Sequence, residues 1–249
     1  MTRVMQRLLI LVGLVLLAAG ASLAALGEWP AWRSGGARAA GHDPLPPVSG
    51  TMAPLVPGAT ILCRGDSNVQ GSGGWRPWGR KPAVRPWCDW LAQALGAQAI
   101  NRGVGGDTVT MGLARSRARL PADMVILLYG ANDAAVRGLL GPRQPVPLAT
   151  FRTDLATMIR QHGAGRVLVL AAMPTASRAM ERRIAPYRRA ARAVAQAEGA
   201  AFLDPAETLG GGSVVLDIDG LHLNAAGHRL VGLWLAERLA KGRVDAIEP

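Results

Sequence analysis

Lysine is almost absent from this chain. Lys81 and Lys241 are the only two, so the formal net charge of +11 rests on arginine. Cysteine is as scarce, with Cys63 and Cys88 alone. Two distant cysteines make neither a CxxC redox pair nor a zinc spacing, which excludes a thiol redox centre and a cysteine-held metal. Tyrosine and phenylalanine number two each, and no nucleic-acid-binding motif is present, so the basic balance does not point to nucleic acid. The densest arginine group (Arg178, Arg182, Arg183, Arg188, Arg189, Arg192) falls on an expected helix, where a solvated face is the ordinary outcome. Gly163-Ala164-Gly165 precedes a strand instead of following one, so it is no dinucleotide fingerprint. No internal repeat is found.

Of the 249 residues, 49% are hydrophobic and 18% charged, a globular balance. Residues 1–26 read as a signal peptide or membrane anchor. Arg3 and Arg7 precede an uncharged run from Leu8 to Leu26, long enough to span a bilayer. Ala19-Gly20-Ala21 offers a cleavage site, whereas Trp29 and Trp32 sit where interfacial aromatics would follow a retained anchor. Both outcomes place the body outside the cytoplasm, periplasmic or otherwise extracytoplasmic. In such a compartment Cys63 and Cys88 could form a disulfide; two buried thiols are the alternative. Residues 27–55 are rich in Pro, Gly and Ala and read as a linker without a core of its own. Residues 56–249 are long enough for one domain.

Within that domain, short apolar runs alternate with helical patterns. Strands are expected at Thr60–Cys63, Gln98–Ile100, Met124–Tyr129, Val167–Ala171 and Ala201–Phe202–Leu203. Helices are expected at Trp87–Leu95, Leu148–Gln161, Met180–Ala197 and after Asn224, a candidate N-cap. Runs apolar throughout are typical of a sheet covered on both faces. The alternation implies an α/β fold with a parallel sheet of about five strands between helix layers.

Ligands of such sheets bind beyond the carboxyl ends of the strands. Four segments follow strands: Gly65-Asp66-Ser67-Asn68, Gly103-Val104-Gly105-Gly106-Asp107-Thr108, Gly130-Ala131-Asn132-Asp133 and Asp219-Gly220-Leu221-His222. Together they hold what acyl transfer through a serine requires. Ser67 needs a base, and His222 can take and return its proton. Asp219, three residues earlier, can orient the imidazole. The backbone N–H groups of Ser67 and Gly106 and the side-chain amide of Asn132 can hold an oxyanion.

These motifs, in this order, resemble the SGNH/GDSL hydrolase family across essentially the whole body. The resemblance implies a flavodoxin-like three-layer α/β/α sandwich and a serine esterase needing neither metal nor cofactor. It implies Ser67, Asp219 and His222 as catalytic residues and Ser67, Gly106 and Asn132 as the oxyanion hole. Two positions depart from the pattern: Asn68, where leucine or isoleucine is usual, and Arg64, where a small or apolar residue is common. No Gly-x-Ser-x-Gly elbow is present, which argues against the α/β-hydrolase arrangement.

His228 reads as a packing or surface residue, and His42 and His162 are assigned no role. Asp66 and Asp133 are explained by local backbone hydrogen bonds, and Asn101 could brace the second loop. Trp87 and Trp90 read as core residues. Trp75 and Trp78, in a loop with Arg76, Arg80 and Lys81, are candidate substrate-binding residues. The expected activity is carboxylic ester hydrolysis, with deacetylation of a glycan as the preferred substrate reading. A lysophospholipase or thioesterase, an acyltransferase, and a tethered binding module on an inactive scaffold are the alternatives. Expected partners are a small-molecule, glycan or lipid ester, and a membrane if the leader is retained.

Overall fold

The computed structural model describes residues 36–50, 55–73, 84–116, 120–135, 144–210 and 213–240, together with Val12. Apart from Val12, residues 1–26 lie outside the described residues, as do the Trp75 and Trp78 candidates. Among the described residues no helix is long and apolar enough to cross a membrane.

Five parallel strands form the central sheet: β2 (Thr60–Gly65), β3 (Gln98–Gly103), β4 (Met124–Leu128), β5 (Val167–Leu170) and β6 (Ala201–Leu203). Their order is β3-β2-β4-β5-β6, so the chain reverses its direction of growth at β2. β4 and β5 are buried along their whole length, because helices cover both faces. Ile61, Cys63, Ile126 and Leu128 pack against α2 (Trp87–Ala94) and α7 (Ala225–Ala240). Leu62, Val125, Leu127 and Val169 face α4 (Leu148–His162) and α5 (Arg178–Glu198). This alternation gives two cores from one set of strands. Each large aliphatic side chain so buried contributes roughly 1.5–3 kcal/mol.

Shorter elements complete the fold. α1 (Ser67–Gln70) follows β2 directly, and α3 (Val109–Arg115) begins after its N-cap Thr108. α6 (Ala206–Leu209) leads to β7 (Val214–Leu216), which pairs antiparallel with β1 (Ala37–Arg38). A disulfide joins Cys63 of β2 to Cys88 of α2 across 25 residues.

Residues 36–50, sequence that reads as linker, lie against the domain. Ala40 N donates to Thr175 O (2.7 Å), and Val48 exchanges backbone hydrogen bonds with Phe202 on the edge strand (3.1 and 3.0 Å). His42 sits between Asp204 (Nε2 to Oδ2, 3.0 Å) and Glu181 (Nδ1 to Oε2, 3.2 Å). Burial alone would lower the pKa of His42. Its contacts with Asp204 and Glu181 outweigh that and raise it to about 9.

The arginine group on α5 is not uniformly solvated. Arg178, Arg182, Arg183 and Arg189 are exposed, but Arg188 is buried. Its guanidinium donates to Ala172 O (2.8 Å) and Met173 O (2.9 Å) and pairs with Glu181. It turns inward because the carbonyls just past β5 need donors that the sheet does not supply.

Candidate active site

The strand register sets the geometry of the site. Gly65 of β2 stands beside Gly103 of β3 and Leu128 of β4. The loops that leave these strands therefore start at one level. A Cβ on Gly103 would lie 2.2 Å from Gln70 N, and one on Gly65 would lie 2.3 Å from Leu128 O. Only glycine lets α1 settle onto the strand ends. Asp66 caps α1 by accepting from Asn68 N (2.9 Å), which places Ser67 as the first helical residue.

His222 arrives on a hairpin tip. Leu216 and Leu223 form an antiparallel bridge, and the chain turns between them through Gly220, whose φ is 63°. Asn224 fastens the base of the hairpin to Val214 O and Leu216 O and caps α7 through Gly227 N. Ala176 N donates to Gly220 O (2.7 Å). His222 Nε2 lies 2.9 Å from Ser67 Oγ, and His222 Nδ1 lies 2.6 Å from Asp219 Oδ2. The other oxygen of Asp219 accepts from Leu221 N and His222 N, both at 3.0 Å. With its proton on Nδ1, the imidazole presents a lone pair to the Ser67 hydroxyl.

The electrostatics suit that arrangement. Burial alone would raise the Asp219 pKa. Hydrogen bonding to His222, its charge and the two backbone donors together hold the carboxyl far below the usual range. Asp219 thus stays ionised beside the imidazole. Ser67 and His222 are both buried, so little water competes for either partner.

The second and third loops flank the serine. The second loop carries Gly103, Gly105 and Gly106. Gly103 N donates to Asn101 Oδ1 (2.9 Å), and Gly105 N donates to Gln70 Oε1 (2.9 Å). Gly106, the glycine directly before Asp107-Thr108, turns the loop at φ 84°. Asn101 braces this loop as expected, with its Nδ2 donating to Val69 O (2.7 Å). In the third loop Asp133 accepts from Val109 N and Gly130 N, both at 3.0 Å, and so ties the segment carrying Asn132 to the start of α3. Asn132 itself is half-buried.

A family model described as GDSL-like lipase/acylhydrolase matches residues 63–230. The chain belongs to that family. It is accordingly an ester-hydrolysing enzyme. A lipase/acylhydrolase from Enterococcus faecalis is 26% identical, with a TM-score of 0.61 over 77% of this chain and 100% of that one. An aryl esterase from M. smegmatis is 23% identical, with a TM-score of 0.58 over 74% and 99% of the two chains. Axe2, an acetylxylan esterase from Geobacillus stearothermophilus, is 18% identical, with a TM-score of 0.61 over 75% and 96%. Direct sequence comparison with curated proteins gives no match.

Several features of this GDSL-family enzyme escaped the sequence reading. Asn68 and Gln70 reach from α1 to the base loop and to the second loop. Only the departure at Asn68 signalled either. His228 is fully buried, and its Nδ1 accepts from Trp87 N (3.2 Å) at the start of α2. Trp87 is a core residue, whereas Trp90 is half-buried with the Arg85 guanidinium 4.2 Å from its ring centroid. Among the described residues no group of three or more His, Cys, Asp or Glu could hold a metal ion.

Proposed function

We propose that Ser67 is the nucleophile of an exported esterase that works through an acyl-enzyme. The carrying observation is the continuous hydrogen-bond chain from Ser67 Oγ to His222 (2.9 Å) and on to Asp219 (2.6 Å). Ser67 Oγ adds to the ester carbonyl carbon while its proton passes to His222 Nε2. The resulting oxyanion is held by Ser67 N–H, Gly106 N–H and the Asn132 amide. Collapse expels the alcohol, which takes the proton from His222. Water then repeats the sequence, deprotonated by His222, and releases the acid and free Ser67. Asp219 keeps the imidazole oriented and compensates its charge in both halves.

The preferred substrate is a short acyl ester on a glycan. Its support is the segment between Gly71 and Trp90, which leaves the catalytic strand and carries Trp75, Trp78, Arg76, Arg80 and Lys81. Aromatic faces and cations are the usual surface for sugars and anionic esters. Export is supported by the basic and apolar leader together with the Cys63–Cys88 disulfide, a bond that persists in oxidising compartments. A fluorophosphonate probe should label the wild type and leave Ser67→Ala unlabelled; equal labelling of both ends the nucleophile assignment. A series of p-nitrophenyl esters should peak at acetate. A peak at chains of about eight carbons or more would replace the glycan reading with a lysophospholipase or thioesterase.

A further inference from the structure

Ser67 and His222 belong to elements 155 residues apart, and the hairpin carrying His222 is built without any strand of the main sheet. Something must register the hairpin against α1. The side chain of Asn68 makes that connection. Its Oδ1 accepts from Leu223 N (2.9 Å), and its Nδ2 donates to Leu221 O (3.4 Å). The two backbone groups flank His222 on either side. The amide thus pairs with the base loop at two points, as a residue of a neighbouring strand would. The Leu223 contact is deep, with Asn68 3% exposed and Leu223 fully buried, and the Leu221 contact is half-buried. A buried N–H or C=O stripped of its partner costs more than the bond itself contributed. Ser67 precedes Asn68 directly, so the contact runs from the nucleophile's own neighbour to the base's own neighbours.

Resting on the assignment of Ser67 and His222 above, we propose that Asn68 is a positioning residue that sets the distance and angle between His222 and the Ser67 hydroxyl. It does not touch the substrate. Its two-point contact fixes the hairpin against sliding along α1, which a hydrophobic side chain of the same size cannot do. Displacement of a reacting group by about 1 Å can cost about 100-fold in rate. Gln70 performs the matching task on the other side of α1, where its Oε1 holds Gly105 N.

The test compares Asn68→Leu in two backgrounds. In the otherwise wild-type enzyme, kcat for p-nitrophenyl acetate should fall about 10- to 100-fold, with KM changed less than about threefold. The rate of fluorophosphonate labelling should fall in parallel. In a His222→Ala background the same substitution should lower the residual activity less than about twofold, because no base is left to misplace. Asn68→Asp keeps the acceptor for Leu223 N and loses the donor, so its kcat should lie between those of wild type and Asn68→Leu. Equal losses in both backgrounds would mean that Asn68 acts on Ser67 or on the fold, and would overturn the proposal. So would wild-type kcat in Asn68→Leu. If Asn68→Leu does not fold, Asn68→Asp in the two backgrounds carries the same comparison. Absence of label on the wild type would instead remove the Ser67 assignment, a different failure.

Discussion

Asp219 does two things at once: one oxygen holds the imidazole and the other gathers the backbone of its own turn. Asp219→Asn keeps the shape but favours the wrong tautomer of His222. It should lower kcat roughly 10³- to 10⁴-fold with little change in KM, and steady-state kinetics on p-nitrophenyl acetate checks this. Asn132→Ala removes one proposed oxyanion donor and should cost about 10²–10³ in kcat; a loss under threefold would take Asn132 out of the oxyanion hole. Ser67, Asp219 and His222 could be singled out from the sequence because acyl transfer through a serine demands those atoms and tolerates few substitutes; the structure brings the three side chains into one hydrogen-bond chain. Asn68 was legible only as an oddity. Its role depends on backbone groups at Leu221 and Leu223, and no residue type announces where a backbone group will be. The contacts of Asn101 with Gly103 N and of Gln70 with Gly105 N were not legible either, since no residue type announces which backbone amide it will meet.

Elements with a long apolar run or a helical period declare themselves; elements of two or three residues that depend on a partner do not. The five sheet strands and the four longer helices were readable from apolar runs and helical period. β1 and β7 were not, because strands of two and three residues are defined by their partners, each other and, for Leu216, Leu223. α3 is short, with Gly112 at its centre under the ring of Tyr129, and shows no strong period. The packing of α2 on α7 carries its own prediction. His228 of α7 supplies the acceptor that the first amide of α2 lacks, where no side-chain cap is present. Burial, and secondarily the charge of His222, lower its pKa to about 4. The unfolded chain takes up this proton below about pH 6.5, while the folded protein does so only near pH 4. The wild type therefore loses about 3 kcal/mol through this group as pH falls across that window, and nothing above it. Asp66 and Asp133, raised by burial to about 6 and about 7, pull the other way, since the folded state holds their protons longer. The useful quantity is thus the difference in urea-unfolding free energy between wild type and His228→Gln. It should shift by about 3 kcal/mol in favour of the variant between pH 7.5 and 4; a flat difference would mean that His228 is not held neutral.

At the scale of the whole molecule, two features shape behaviour. The disulfide closes a ring that contains α1, so the nucleophile and the Trp/Arg segment lie inside one tied loop. Closing 25 residues restricts the unfolded chain by about 3 kcal/mol. A Cys63→Ser/Cys88→Ser variant should lose that much unfolding free energy in urea, and dithiothreitol should reproduce the loss on the wild type; unchanged midpoints would show that the bond contributes nothing. The second feature concerns length. Read from composition, residues 27–55 would have let the domain wander about 100 Å from an apolar leader held in a bilayer. The docking of residues 36–50 takes most of that slack away. Only nine residues, 27–35, then separate leader from domain, and a chain of that length spans at most about 32 Å. Were the apolar segment 1–26 held in a bilayer, the enzyme would graze on a short leash, and only esters displayed close to the bilayer would come within reach.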